Sequence, residues 1–235
     1  MKLESEARAD PGDWLRTVRQ SLPRALSIAR AMRPTWELRS LEELDSGFVQ
    51  RERISGLLWD VDGTLTHYHG RSLAPEAEKW VAPLFREPGL RHAIVSNCDD
   101  RRLQELATMF PQLPVLKVYE GATARIGRRL LQGGDAWFEL AGTGGGPVAR
   151  PIDRPDARLV PLRKPSAEII RFAVRQLDIE PAAVAMVGDQ YWTDVAGANL
   201  GGVRSIRIPT VGRETFPSVL RWLQRVDGWM RHVLA

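Results

Sequence analysis

Two rhythms of apolar residues run along this chain. Short runs, mostly apolar apart from Ser55, His92, Lys117, Ser205 and Arg207, occupy 54–59, 92–95, 115–119, 184–187 and 205–208. Runs of that length, bounded by turn-forming residues, predict strands buried on both faces. Between them the apolar positions recur at helical spacing, over 75–85 (closed by Pro88-Gly89) and 101–110. After Lys164-Pro165, Ser166 reads as an N-cap, with Ile169, Ile170, Ala173, Val174 and Leu177 on one face. A short helix over 193–200 stops at Gly201-Gly202, and 217–234 is an amphipathic terminal helix. Near the start, Trp14, Val18, Leu22, Ala25, Leu26, Ala29 and Met32 form a helical stripe over 10–33, split by Pro23. A short helix over 38–44 is broken by Asp45-Ser46-Gly47, and 66–74 reads as a loop. The least orderly stretch is 120–163: a helix fits 123–132, and the glycines around 142–147 with Pro151 and Pro155 mark a mobile loop.

Strands that alternate with helices predict an α/β three-layer sandwich, a Rossmann-like parallel sheet with helices on both faces. The expected organisation is an N-terminal helical segment, 1–50, a sheet domain, 51–215, and a C-terminal helix, 216–235. Within the domain, 120–163 is an insertion or flap.

Composition narrows the class. Hydrophobic residues at 43% with 26% charged are ordinary for a soluble globular protein. A net charge of +4 favours anionic partners: phosphate compounds, nucleic acid or an acidic membrane. No basic stretch is interleaved with aromatics, so nucleic acid is not the expected partner. Cys98 is the only cysteine, which excludes an internal disulfide and suits a reducing compartment. Neither a signal peptide nor a spanning apolar run is seen, so the expected location is cytoplasmic, with peripheral membrane contact left open.

The chemistry concentrates where apolar runs end. Asp60 and Asp62 close the first run, in Asp60-Val61-Asp62-Gly63-Thr64. Two carboxylates that close are costly unless a cation lies between them. An EF-hand loop is excluded, because the glycine is misplaced and no glutamate follows at the required distance. Ser96 and Asn97 end the second run, and Gly188-Asp189 ends the fourth. In a parallel sheet these carboxyl ends face one crevice. The combined reading is a Mg2+ site on Asp60, Asp62 and Asp189, with Asp194 in support. Asp60 is placed as a nucleophile and Asp62 as acid and base. Ser96, Asn97, Lys164, Gly63 and Thr64 would bind a phosphoryl group. His67 and His69 read as solvent-facing, and Cys98 as a small apolar filler.

Taken in order, the Asp60-x-Asp62-Gly63-Thr64, Ser96, Lys164 and Gly188-Asp189-x-x-x-x-Asp194 motifs resemble the haloacid dehalogenase-like (HAD) phosphatases over about residues 54–209. A narrower resemblance lies in Gly188-Asp189-Gln190-x-x-Thr193-Asp194-Val195-x-Gly197-x-Asn199-x-x-Gly202 and in Ser96-Asn97. Those residues are similar to the phosphatidylglycerophosphate phosphatase family, of HAD subfamily IIIA. The resemblance implies little or no cap, an aspartyl-phosphate on Asp60, and a substrate at an acidic membrane. The alternative it leaves open is a small soluble sugar or nucleotide phosphate held under a lid built from 120–163.

Overall fold

The computed structural model describes residues 25–140, 149–155 and 159–234, with side chains to residue 229. Trp14, Val18 and Leu22 of the expected first helix, and the loop 142–147, lie outside the described residues. Ten strands form one sheet among the described residues. They are β1 Trp36–Glu37, β2 Gly56–Trp59, β3 Arg91–Ile94, β4 Val115–Glu120, β5 Arg125–Leu131, β6 Gly134–Leu140, β7 Ala149–Ile152, β8 Val160–Pro161, β9 Val184–Gly188 and β10 Arg204–Arg207. The α-helices are α1 Ala25–Arg30, α2 Ser46–Arg51, α3 Pro75–Leu84, α4 Asp100–Met109, α5 Ala167–Leu177, α6 Ala196–Gly201 and α7 Ser218–Leu234.

The strand order is β1-β10-β9-β2-β3-β4-β5-β6-β7, with β8 beside β4. From β1 to β4 every pairing is parallel. Successive crossovers leave β2 in opposite directions, β3 and β4 on one side and β9 and β10 on the other. That reversal opens a crevice at the carboxyl ends of β2 and β9. Alternation across the strands explains the continuous apolar runs. Leu57 and Trp59 of β2 face the core made by Val81, Leu84, Leu103 and Leu106 of α3 and α4. Leu58 faces the opposite core, with Ile170 and Phe172 of α5 and Met186 of β9. The three-layer α/β sandwich is therefore observed, on a mostly parallel sheet.

Three expectations need correction. Residues 123–132 form no helix: Arg125–Leu131 is β5, antiparallel to β4 and β6. The period there is two, with Ile126 and Arg128 buried while Arg129 is exposed, and Gly133 turns the hairpin at φ 84°. The described part of the 120–163 insertion thus prolongs the sheet edge through β5, β6 and β7. Asp45-Ser46-Gly47 starts a helix as well as following one: a 3-10 turn over Leu41–Glu43 ends at Leu44, and Asp45 Oδ1 accepts the Phe48 N–H at 2.7 Å and caps α2. The expected helix over 193–200 is preceded by a wider turn, Tyr191–Val195, before α6 begins.

The described N-terminal stripe divides: Ala29 and Met32 are buried, while Leu26 is exposed. Ile28, Ala29 and Met32 pack on Tyr191, Val195 and Ala196. The terminal helix α7 packs on the same turn, and leaves Val219, Trp222 and Trp229 exposed. Among the described residues no helix is long and apolar enough to cross a membrane.

Candidate functional site

The loops leaving β2 and β9 meet the segment that enters α5. Asp60 directly follows β2, and its N–H extends the ladder to Val187 O at 3.0 Å. Lys164, only 1% exposed, donates from Nζ to Asp60 Oδ1 and to Asp194 Oδ1, each at 2.6 Å. Carboxylate oxygens of Asp60, Asp189 and Asp194 lie within 4.8 Å of one another. Gly188 makes room for this: a Cβ there would fall 2.4 Å from Asp194 Cβ. Gly63 does the same for the first loop. It sits at φ 87°, and a Cβ would come within 3.0 Å of Asp189 Oδ2 and 2.9 Å of Phe216.

Burial sets the electrostatics. It pushes the Asp60 carboxyl up to about 7; Lys164 pulls the other way, and Asp194 pushes it further up. Burial also raises the Asp189 carboxyl well above the ordinary range, with Asp194 and Asp60 adding to the effect. For the Lys164 ammonium burial acts downward, but Asp194 and Asp60 outweigh it and hold the group above its usual value. If all three carboxyls ionise, one ammonium offsets only part of their charge, which is what a cation in the cluster would relieve.

The metal triad expected from sequence was Asp60, Asp62 and Asp189; the structure assembles Asp60, Asp189 and Asp194. The difference follows from the chain's path. The strand ends at Trp59, and Val61 O then accepts the N–H groups of Thr64, Leu65 and Thr66 in a tight turn. Strand alternation no longer governs Asp62, whose carboxylate turns to another set of partners. Asp62 Oδ1 accepts from Arg102 Nη2 at 3.2 Å, from His69 N at 3.1 Å and from Thr66 Oγ1 at 3.3 Å.

The expected phosphate binders divide. Ser96 stands half-buried just past β3. The Asn97 side chain is spent on the backbone of Lys164: Oδ1 accepts its N–H at 2.7 Å and Nδ2 donates to its O at 3.1 Å. Asn97 therefore aims Lys164. The Gly63 N–H is bound to Thr66 O and the Thr64 N–H to Val61 O, so both donors serve the turn. His67 pairs with Glu76 at 2.8 Å. Burial raises the Cys98 thiol to about 12, in keeping with an inert filler.

Several contributors carried no local signal. Thr210 Oγ1 donates to Asp189 Oδ2 at 2.8 Å, and Gln224 of α7 reaches the same oxygen at 3.4 Å. Asp227 of α7 accepts the N–H groups of Tyr191 and Trp192 at 2.7 and 2.8 Å, which anchors the loop after Asp189. Arg102 reaches Asp62 from α4, and only the helical spacing of 101–110 hinted at its direction.

Residues 161–217, which include Lys164, Asp189 and Asp194, match the family described as HAD-hydrolase-like. Over 163 residues the chain is 22% identical to the "Probable phosphatase YqeG" of Bacillus subtilis (strain 168), covering 69% of each protein. These likenesses, and the site they meet in, support a HAD-like phosphatase enzyme. A solved structure, that of an uncharacterized protein from Listeria monocytogenes serotype 4b, is 18% identical at a TM-score of 0.40, covering 70% of this chain and 85% of that one.

Hydrolases of that family generally use a divalent metal, and the residues present here fit one. Asp189 Oδ1 is buried and has no hydrogen-bond partner among the described residues. An orphaned carboxylate oxygen beside two further buried carboxylates suits a hard cation with oxygen ligands.

Proposed function

We propose that the protein hydrolyses a phosphate monoester through an aspartyl-phosphate on Asp60, with phosphatidylglycerophosphate as substrate and phosphatidylglycerol as product. The observation that carries this reading is the buried cluster of Asp60, Asp189 and Asp194 around Lys164 Nζ. Mg2+ held by Asp60, Asp189 and Asp194 would offset phosphoryl charge. The Asp60 carboxylate attacks phosphorus, and the bond from phosphorus to the ester oxygen breaks. Asp62, whose side chain is 21% exposed, gives its proton to that departing oxygen. The same carboxylate then takes a proton from water, which attacks the acyl phosphate, frees phosphate and restores Asp60. Lys164 holds charge on the transferring group, and Ser96 offers a hydroxyl at the mouth.

Support for a lipid substrate comes from the surface. Trp222, Trp229 and Val219 of α7 and Leu26 of α1 are exposed, with Arg225 among them. Tryptophan suits a membrane interface, and each basic residue near an acidic surface adds about 1 kcal/mol. The described part of the 120–163 insertion lies in the sheet, which suits a site open to a bulky head group.

The test is phosphate release from lipid, sugar and nucleotide monoesters side by side, with and without Mg2+. The lipid is expected to be cleaved fastest, and Asp60→Asn to abolish release. Release from sugar or nucleotide esters alone would replace the lipid with a small soluble substrate. Mg2+ is expected to raise the melting temperature of the wild type and not that of Asp189→Asn.

A further inference from the structure

The geometry assigns to Arg102 the positioning of the Asp62 carboxyl group, an inference that rests on the phosphatase reading above. Arg102 is 5% exposed on α4, a charged side chain that the hydrolysis scheme does not use. A buried guanidinium is costly unless its contacts are specific. Its Nη2 donates to Asp62 Oδ1 at 3.2 Å and to Gly70 O at 2.7 Å, while Nη1 holds Glu105 at 3.3 Å. One nitrogen thus ties the Asp62 turn to the loop that follows it. The helix carrying Arg102 begins just past Ser96 and Asn97, and its cap, Asp99 Oδ1, accepts the Arg102 N–H at 2.7 Å. The phosphate-facing loop and the acid are therefore held by one rigid element.

The form of the contact matters as much as its presence. A two-point fork between arginine and carboxylate occupies both carboxylate oxygens. Here the three hydrogen bonds that Asp62 receives among the described residues all end on Oδ1. Oδ2 receives none of these bonds, and fixing Oδ1 fixes where Oδ2 points. Arg102 touches neither the transferring phosphoryl group nor the leaving oxygen in this scheme; it acts through Asp62.

The role predicts a selective defect. Loss of a positioned acid hurts esters whose departing oxygen needs a proton, and spares those whose oxygen leaves unaided. Phenyl phosphate and p-nitrophenyl phosphate have nearly one shape and differ in this respect. With Mg2+ present, Arg102→Met is expected to lower kcat/KM about 100-fold on phenyl phosphate and less than about fivefold on p-nitrophenyl phosphate. Arg102→Lys, which keeps a point charge, is expected to show a smaller loss with the same preference. In an Asp62→Asn background, Arg102→Met is expected to change kcat/KM less than about twofold on either ester. Thermal melts accompany each variant, and Arg102→Lys carries the comparison if Arg102→Met does not fold. Equal losses on both esters, or a full further loss in the double variant, would overturn the assignment. A wild type that cleaves neither ester would instead bring down the phosphatase reading, and this inference with it.

Discussion

Asp60 and Asp62 stand two residues apart and occupy different media. Asp60 is buried, faces Lys164, and shares its pocket with two more carboxylates. Asp62 is partly open to solvent and is held through one oxygen by an arginine, a backbone N–H and a hydroxyl. The difference shows that one short motif reaches two environments when the chain leaves strand geometry between its members, and the proposed scheme gives each its own chemistry. A nucleophile beside a metal gains from a dry pocket in which charges act strongly. An acid that must give and regain a proton gains from access and a fixed direction.

The sharpest break of this comparison is Asp60→Asn. It is expected to cut phosphate release at least about 10⁴-fold on every ester, because the covalent route itself is removed. Asp62→Asn is expected to cost about 10³-fold in kcat/KM on phenyl phosphate and clearly less on p-nitrophenyl phosphate. A variant pair with equal losses on both esters would erase the distinction between the two carboxylates.

A third prediction concerns stability without metal. The folded-state pKa of Asp60 is raised from 3.8 to about 7. The folded protein therefore binds the extra proton, and stability present below about pH 4 is lost as pH rises through about 7. The loss amounts to roughly 4 kcal/mol. Burial lowers His92 to about 4 from 6.5, which gives the opposite slope over pH 4 to 6.5. The Trp59 Nε1–H donates to Nδ1 of that histidine at 3.1 Å. The difference in denaturant midpoint between wild type and Asp60→Asn cancels the His92 contribution. Asp60→Asn is expected to be the more stable protein at pH 8, with the gap closing toward pH 4. Asp62→Asn should reduce the Asp60 slope only slightly, since Asp62 gives the smallest of the upward pushes. The smallest effect expected is that of Asn97→Ala, about tenfold in kcat, since it loosens the two-point hold on the Lys164 backbone without removing the ammonium.

Legibility followed range. The buried strands, the α/β layering and the gathering of Asp60, Lys164 and Asp189 could be read from apolar runs that end in polar residues. Helix and strand were confused at 123–132, where alternation over few residues competes with helical composition and only pairing with β4 decides. Asp45 was read as a breaker because the same residue type caps helices and closes turns. Asn97 was read as a phosphate binder, and its side chain is instead bound to backbone 67 residues away.

The chain's own order of residues determined which side chains stand at the carboxyl ends of its strands, because burial on two faces and a turn at each end are local demands. Tertiary structure decided that Asp194 rather than Asp62 joins the carboxylate cluster. It also decided that Arg102, Thr210 and Asp227 complete the surroundings. Those choices depend on the direction in which each loop leaves the sheet, which is settled only when distant segments pack against it.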